Sequence, residues 1–474
     1  MDAATAMTVP DPALAPKLLA TLHETVETEV APPLGGRERE SALCVGRLLA
    51  RMRLELGHRD ALERAFARDW RALGERLGVP GGGSIVAQSR GIADAIRAGR
   101  ALSPDDFRAA VDVMHRYHAD VEARVPAVAK RAAEADESEA VRVALGRYLK
   151  RRFPGLPADP VVRLRIVPGG RAKQTALFEL APNDLLPTRL VLRRDLAGST
   201  TGTSVHAEFP LLKKVEAEGL PVPSPVLAEA DASKLGGSFI VVAEVRDAVR
   251  AGEFFAELND LADYDASFAP DLAKAMARLH RLTEHPSGDA LGGHTAAVEA
   301  IDMVRNFHQL WNSLTQRPPI SAATDLGFAW LFANPLPPGR PRRLVHGDIG
   351  FHNLMRRGGQ LAAILDWELT HLGDPAEDLA YPRIPMIEAL TTWERFTEAY
   401  LAAGGPPEAC DARALAWYGV WAYTRNSVYT GLLYDWAMTG KRTDLEAFSV
   451  GWDFFDRMQG YLARQLARAL ELPA

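Results

Sequence analysis

Cysteine is nearly missing from this chain: Cys44 and Cys410 are the only two in 474 residues. Two thiols so far apart in sequence make neither a disulfide framework nor a cysteine-built zinc site, and a reduced, cytoplasmic setting is the simple expectation. No stretch reaches the roughly 18 apolar residues that a membrane span needs. Met1 to Thr21, with one lysine, two aspartates and three prolines, lacks the sustained apolar centre of a targeting segment, so no membrane is expected as a partner. A basic excess is missing too. The 55 Lys and Arg stand against 61 Asp and Glu, a net charge of −6, which argues against nucleic acid as a partner. Repeats and low-complexity tracts do not occur. What is present is an ordinary globular composition, 47% hydrophobic and 24% charged. The length exceeds one core and predicts two or three domains.

One stretch, Leu344 to Ala380, carries chemistry. Asp348 sits in His346-Gly347-Asp348 after the apolar pair Leu344-Val345, Asn353 follows five positions later, and Asp366 closes the apolar run Ala362 to Leu365. Asn353 to Arg356 and Leu361 to Leu365 read as short strands, and Arg357-Gly358-Gly359-Gln360 between them reads as a hairpin turn. A turn at Gly359-Gln360 would oppose Asn353 to Asp366 with Cβ atoms roughly 5 Å apart, and a shift of one residue would keep them neighbours. An amide and a carboxylate so placed offer hard oxygens to Mg²⁺, which keeps its other positions for water and phosphate. Asp348, on the loop entering the hairpin, is then free to accept a proton from an attacking hydroxyl. Protein kinases use an Asp-x4-Asn loop followed by a metal-binding Asp in this way.

With HGDIGFHN, ILDWE and GDPAEDLA in that order, the chain resembles the aminoglycoside phosphotransferase and choline kinase superfamily over about residues 155 to 400. The resemblance implies a protein-kinase-like fold, Asp348 as catalytic base, and Asn353 and Asp366 as Mg²⁺ ligands. It also implies that His346 braces the catalytic loop and that Asp374 and Asp378 hold the segment after it.

Residues 13 to about 152 read as helix nearly throughout. Leu18, Leu19, Leu22 and Val26 recur at helical spacing, as do Val45, Leu48, Leu49 and Met52. Ser103-Pro104-Asp105-Asp106 is a helix start, and the glycines within Gly78 to Ser84 divide the helices. This part resembles a small helical domain of unknown function found beside such phosphotransferases. Its role does not follow from the residues, and it is a candidate surface for a homo-oligomer. His115 and His118 have a metal-compatible spacing without a supporting cluster, so an ordinary helix face is the better reading.

Near Pro154 the pattern turns to strands. Val161 to Val167 is one, Pro168-Gly169-Gly170-Arg171 breaks it, and Thr175 to Leu180 resumes. A glycine turn of this kind, at Gly169 and Gly170, can lay backbone N–H groups over phosphates. Where the family usually has Ser-Asn, this chain has Ala172-Lys173. Lys173 can reach a phosphate or stand in solvent, and both readings stay open. The strand Arg189 to Arg194 resembles the one that carries the family's phosphate-holding cation. Alternation puts Arg193 on the Val191 face and Arg194 on the opposite one, toward solvent. The resemblance implies an Arg193–Glu208 ion pair, with Glu208 on a helix from about His206 to Val215. It also places the backbone of Glu244 and Val245, after the strand Phe239 to Glu244, against the purine edge.

Helices return from about Ala248. His280 reads as a packed, hydrogen-bonded core histidine. Trp417, Trp421 and Tyr429 recur near helical spacing, either as a pocket wall or, more simply, as core packing. The scattered acids Asp435, Asp444 and Asp453 define no site for a cationic acceptor.

The expectation is an α+β chain, a protein-kinase-like bilobal fold with an additional N-terminal all-α domain. The parts are a helical domain at 1–152, a β-rich nucleotide lobe at 153–247 and a mainly helical catalytic lobe at 248–474. ATP and Mg²⁺ are the expected cofactors and a small-molecule hydroxyl the expected acceptor, with a hydroxyacyl-CoA or similar metabolite preferred. The alternatives are an antibiotic phosphotransferase and a nucleotide-binding pseudokinase that scaffolds through its helical domain.

Overall fold

The computed structural model describes residues 14–26, 30–31, 36–79, 83–124, 139–167, 173–195, 204–252, 261–286, 299–442 and 445–472. Five helices come first: α1 (Leu14–Thr25), α2 (Gly36–Arg76), α3 (Ile85–Arg97), α4 (Pro104–Arg124) and α5 (Glu139–Arg152). The start of α4 is set locally: the Ser103 hydroxyl accepts the Asp106 N–H at 3.1 Å and Pro104 opens the first turn.

An antiparallel sheet follows, built from β1 (Val161–Val167), β2 (Lys173–Leu180), β3 (Arg189–Asp195), β4 (Pro225–Glu229) and β5 (Phe239–Ala243), with helix α6 (Val205–Ala217) between β3 and β4. The spatial order is β1-β2-β3-β5-β4. Alternation along the strands divides the apolar residues between two faces. Leu190, Leu192, Phe239 and Val241 pack with Val141, Leu145 and Leu149 of α5. Ile240 and Val242 join Leu211, Leu212 and Val215 of α6 in a core continuous with the rest of the chain. Helix α5 thus belongs by packing to the sheet.

The remainder is mainly helical: β6 (Val249–Arg250), α7 (Phe268–Leu279), α8 (Ala300–Ser313), α9 (Ala322–Ala333), β7 (Arg343–Val345), β8 (Leu354–Arg357), β9 (Gln360–Ile364) and β10 (His371–Gly373) lead into α10 (Ala376–Pro382), α11 (Glu388–Leu390), α12 (Trp393–Ala402), α13 (Ala412–Met438), α14 (Leu445–Phe448) and α15 (Phe455–Glu471). Strands β6, β8 and β9 form one small sheet, and β7 and β10 another. Trp417 and Trp421 on α13 are fully buried, with Tyr418 and Tyr423 beside them, so most of the ring cluster is core. Tyr429 alone of the three spaced rings stays 36% exposed, its edge against Phe307 of α8. Among the described residues no helix is long and apolar enough to cross a membrane.

The first helices do not stand apart. One apolar core runs from Trp70, Ile92 and Val111 to Leu326, Phe455 and Leu462, with α4 packed on α15 and α3 on α9. A polar clip crosses the same contact. Buried Asp325 of α9 receives Arg97 Nη1 of α3 at 3.2 Å and Trp311 Nε1 at 3.0 Å. Burial pushes the Asp325 carboxyl up from its ordinary 3.8 to about 7, although the Arg97 charge and the Trp311 hydrogen bond work the other way. The folded chain therefore holds this proton more tightly than the unfolded chain does. Ionised Asp325 costs stability above about pH 7, and the cost fades as pH falls through that value. Through this group the denaturation midpoint is expected to be higher near about pH 6 than near about pH 8. Asp325→Asn should flatten that difference; a pH dependence untouched by the substitution would place its origin elsewhere.

Candidate active site

Strand β7 leads directly into His346-Gly347-Asp348. The loop is held from below. Asp378 of α10 accepts the N–H groups of His346 and Gly347, each at 2.7 Å. Its third buried partner is His280, 3.1 Å away at Nε2, whose Nδ1 lies 2.7 Å from the Tyr400 hydroxyl. Burial opposes ionisation of Asp378, but the His280 hydrogen bond and charge and the nearby His346 hold its carboxyl below the usual range. Gly347 is in the left-handed region at φ +82°, and a Cβ there would meet the Leu369 carbonyl at 2.7 Å, so only glycine fits. The Asp348 N–H donates to His346 Nδ1 at 3.2 Å, which leaves Nε2 to donate to the Leu365 carbonyl at 2.9 Å. His346 thereby ties the loop to the end of β9.

Asp348 and Asn353 are in direct contact. Asn353 Nδ2 donates to the Asp348 carbonyl at 3.0 Å and to its Oδ2 at 2.8 Å, and His352 Nε2 lies 3.4 Å from the same carboxylate. Burial works against the charged form of Asp348, yet the His352 hydrogen bond and the charges of His352, Arg425 and His346 outweigh it and hold the pKa at about 2. The carboxylate is therefore ionised at neutral pH, ready to accept a hydrogen bond from a hydroxyl.

The hairpin differs from the expected register. The turn is Gly358-Gly359, with Arg357 paired to Gln360, and the register shifts by one between Arg356 and Met355. Asn353 consequently bonds across to Leu365, which donates to its carbonyl at 2.7 Å, and not to Asp366. The cause is tertiary. A Cβ on Gly359 would lie 2.3 Å from the Asp265 nitrogen, and the Asp265 N–H donates to the Gly359 carbonyl at 3.0 Å, so that glycine is fixed against a neighbouring segment. Asp366 then leaves the strand in the left-handed region, φ 63° and ψ 67°, an uncommon conformation for a residue with a side chain. Its Oδ1 accepts Arg193 Nη2 at 2.9 Å.

Arg193 belongs to a buried charge cluster. Its Nη1 donates to Glu208 Oε2 at 2.8 Å, while Lys173 Nζ donates to Glu208 Oε1 at 2.6 Å and to Glu368 Oε2 at 2.7 Å. Glu208 is wholly buried and Lys173 is 5% exposed, so of the two roles read for Lys173, standing in solvent is not the one observed. Its ammonium is already turned to two carboxylates. Arg194 also departs from expectation: it is half-buried on the α5 face, with Nε on Gln174 Oε1 at 2.8 Å and an η-nitrogen on the Leu235 carbonyl. Gly169 and Gly170 lie outside the described residues. Glu244 and Val245 follow β5 where the sheet gives way to the helical part, and the Glu244 N–H donates to the Arg189 carbonyl at 3.2 Å.

The donors present suit Mg²⁺ shared with phosphates. Among the described residues, Asn353 Oδ1 and Asp366 Oδ2 receive no hydrogen bond, since the Asn353 amide nitrogen faces Asp348 and Arg193 takes Asp366 Oδ1. Among the described residues no group of three His, Cys, Asp or Glu side chains is arranged to hold a metal ion, which leaves room only for a two-ligand site completed by water and phosphate. Two neighbours of the cluster were not singled out from sequence. Glu368 was visible as the acid two places after Asp366. Arg425, alone among the rings of α13, donates to the Gly347 carbonyl at 2.8 Å and to Glu377 at 3.0 Å, and only the fold brings it there.

A five-stranded sheet with one helix, a paired cation and acid, and an Asp-x4-Asn loop ahead of a second Asp define a protein-kinase-like phosphotransferase fold. Residues 163–418 match the phosphotransferase enzyme family, and the chain belongs to it. An assigned aminoglycoside phosphotransferase from Ralstonia eutropha shares the fold, with a TM-score of 0.50 at 16% identity over 69% of this chain and 98% of that one. Acyl-CoA dehydrogenase family member 11 of Gallus gallus is 28% identical over 244 residues, 50% of this chain and 30% of that protein. A probable acyl-CoA dehydrogenase of Arabidopsis thaliana is 24% identical over 358 residues, 68% of this chain and 43% of that protein. The matched segment thus spans less than half the length of either curated relative.

Proposed function

We propose that this chain transfers the γ-phosphoryl group of ATP to a hydroxyl of a small molecule, with Mg²⁺, in the cytoplasm. The observation that carries the reading is a pair of contacts, Asn353 on Asp348 and Arg193 on Asp366, linked through the Leu365 N–H that donates to the Asn353 carbonyl. Asn353 Oδ1 and Asp366 would hold the metal, which when bound neutralises charge on the phosphates. Arg193, oriented by Glu208, turns its planar fork to the α/β-phosphates. The Glu244 carbonyl and the Val245 N–H meet the purine edge. Asp348 accepts the hydrogen bond of the incoming hydroxyl, aligns its oxygen, and takes the proton as the new O–P bond forms and the bond to the β,γ-bridging oxygen breaks, leaving ADP. His346, Asp378 and Arg425 hold the loop that carries Asp348, so the geometry is set before substrate arrives.

For the acceptor, the names of the curated relatives favour a hydroxylated acyl metabolite such as a hydroxyacyl-CoA. The antibiotic alternative rests on a solved relative whose likeness reaches the fold alone. The test is a transfer screen with γ-labelled ATP across hydroxyacyl-CoAs, aminoglycosides, macrolides, choline and sugars. Label is expected on a hydroxyacyl-CoA and to require Mg²⁺. Label on an aminoglycoside or macrolide instead would install the antibiotic reading. Nucleotide binding with no transfer to any acceptor would leave the scaffold reading.

A further inference from the structure

At Ala172-Lys173 this chain departs from the Ser-Asn pair usual in its family, and the lysine is neither idle nor solvated. Three carboxylates, Glu208, Asp366 and Glu368, face two cations, Lys173 and Arg193. Glu208 divides its two oxygens, Oε1 to Lys173 and Oε2 to Arg193. The second donor contact of each cation runs to the segment after β9: Arg193 to Asp366, and Lys173 to Glu368 two residues further on. Two bridges therefore join the sheet and α6 to the segment after β9, and both pivot on one buried glutamate.

The bridges differ in what a nucleotide would do to them. Asp366 and Arg193 are the groups that the proposed reaction turns toward metal and phosphate, so loading the site pulls the Arg193–Asp366 bridge apart. Glu208, with no exposure, would then share its cation with the phosphates, and an under-neutralised buried carboxylate is costly. Lys173 and Glu368 have no such competing duty. We propose that Lys173 is a positioning residue. With Glu208 and Glu368 it forms a bridge that persists when nucleotide binds, keeping the two lobes in register and Glu208 neutralised while Arg193 turns to the phosphates. The inference rests on the phosphotransferase reading, through the role given to Arg193.

The experiment is Mg²⁺-ADP binding by titration calorimetry on the full chain, for the wild type and for K173M, K173R, E368Q, K173M/E368Q and R193M. Each variant is checked for a cooperative unfolding transition. K173M is expected to bind at least about tenfold more weakly, equivalent to roughly 1.4 kcal/mol. K173R should recover most of the loss, which a mere packing role for the lysine stem would not produce. E368Q, which leaves the Lys173–Glu208 contact in place, should weaken binding as well, and the double variant should lose no more than K173M alone, because both substitutions cut one bridge. K173M or E368Q within about twofold of wild type, or losses that multiply in the double variant, would overturn the bridge. If K173M does not fold, E368Q against wild type decides. Failure of the underlying reading looks different: the wild type does not bind Mg²⁺-ADP, or R193M binds it unchanged, and the bridge falls with it. Loss of binding in R193M with none in K173M or E368Q would keep the phosphotransferase reading and reject the bridge.

Discussion

Replacing Asp348 by asparagine is expected to lower phosphate transfer by roughly 10²–10⁴-fold, the usual contribution of a positioned proton acceptor. The affinity for Mg²⁺-ATP should stay within about threefold of wild type. The substitution is nearly isosteric. An asparagine Oδ1 at this position can still accept the Asn353 amide that now donates to Asp348 at 2.8 Å, so the loop should hold its shape. What disappears is the anion. With a pKa of about 2, Asp348 is a weak base toward a resting alcohol, and its work is done as the O–P bond forms and the hydroxyl becomes acidic. Its removal should therefore appear in kcat and not in nucleotide binding. Single-turnover transfer to the acceptor found by the screen, set beside calorimetric ATP binding, separates the two. Retention of more than about a tenth of wild-type turnover would remove Asp348 from the proton-accepting role.

Glu208→Gln should have the largest effect on stability. Glu208 is fully buried and accepts from both Lys173 at 2.6 Å and Arg193 at 2.8 Å. Exchanging its carboxylate for an amide leaves two cations with only Glu368 and Asp366 to balance them, and places an NH₂ group against a donor. Removing one partner of a buried pair costs about 3–5 kcal/mol, a large share of the roughly 5–15 kcal/mol that holds a whole domain. Denaturant unfolding of Glu208→Gln should show a loss of about 3 kcal/mol or more, with weaker Mg²⁺-ADP binding in whatever remains folded. A loss below about 0.5 kcal/mol would mean that the cluster is surface-like in energy, as exposed ion pairs are. The outer ion pair Lys214–Glu218, on the exposed side of α6, is the natural control, since its loss should cost little.

How much of this was legible beforehand varied with the range of the interaction. The strands from Val161, Arg189 and Phe239 and the helix start at Ser103-Pro104 lie where the pattern placed them, because alternation, caps and turn residues act within a few residues. The spacing of Asp348 and Asn353 put the two within reach of each other for the same reason, and they are in hydrogen-bond contact. The hairpin register was not legible: Gly358-Gly359 and Gly359-Gln360 are near-equivalent turns locally, and contact with Asp265 selects between them. Nor were the partners of Lys173. Glu208 and Glu368 are 35 and 195 residues away, and nothing near Lys173 distinguishes a buried ammonium from a solvated one. Arg194 failed the same way, since the residues that hold it, Gln174 and Leu235, come from other elements.

The sequence by itself determined the class of chemistry and the local frame. The order and spacing of the acid, amide and acid are covalent facts, and so are the breaks that glycine and proline impose. Tertiary structure alone decided which charges meet, which ring of α13 stays open, and that the first helices share one core with the helices after β6. The physical reason is that a charge or an apolar face has no intrinsic partner. Its energy depends on what the chain brings within a few ångströms and on how much water is left between them, and folding sets both.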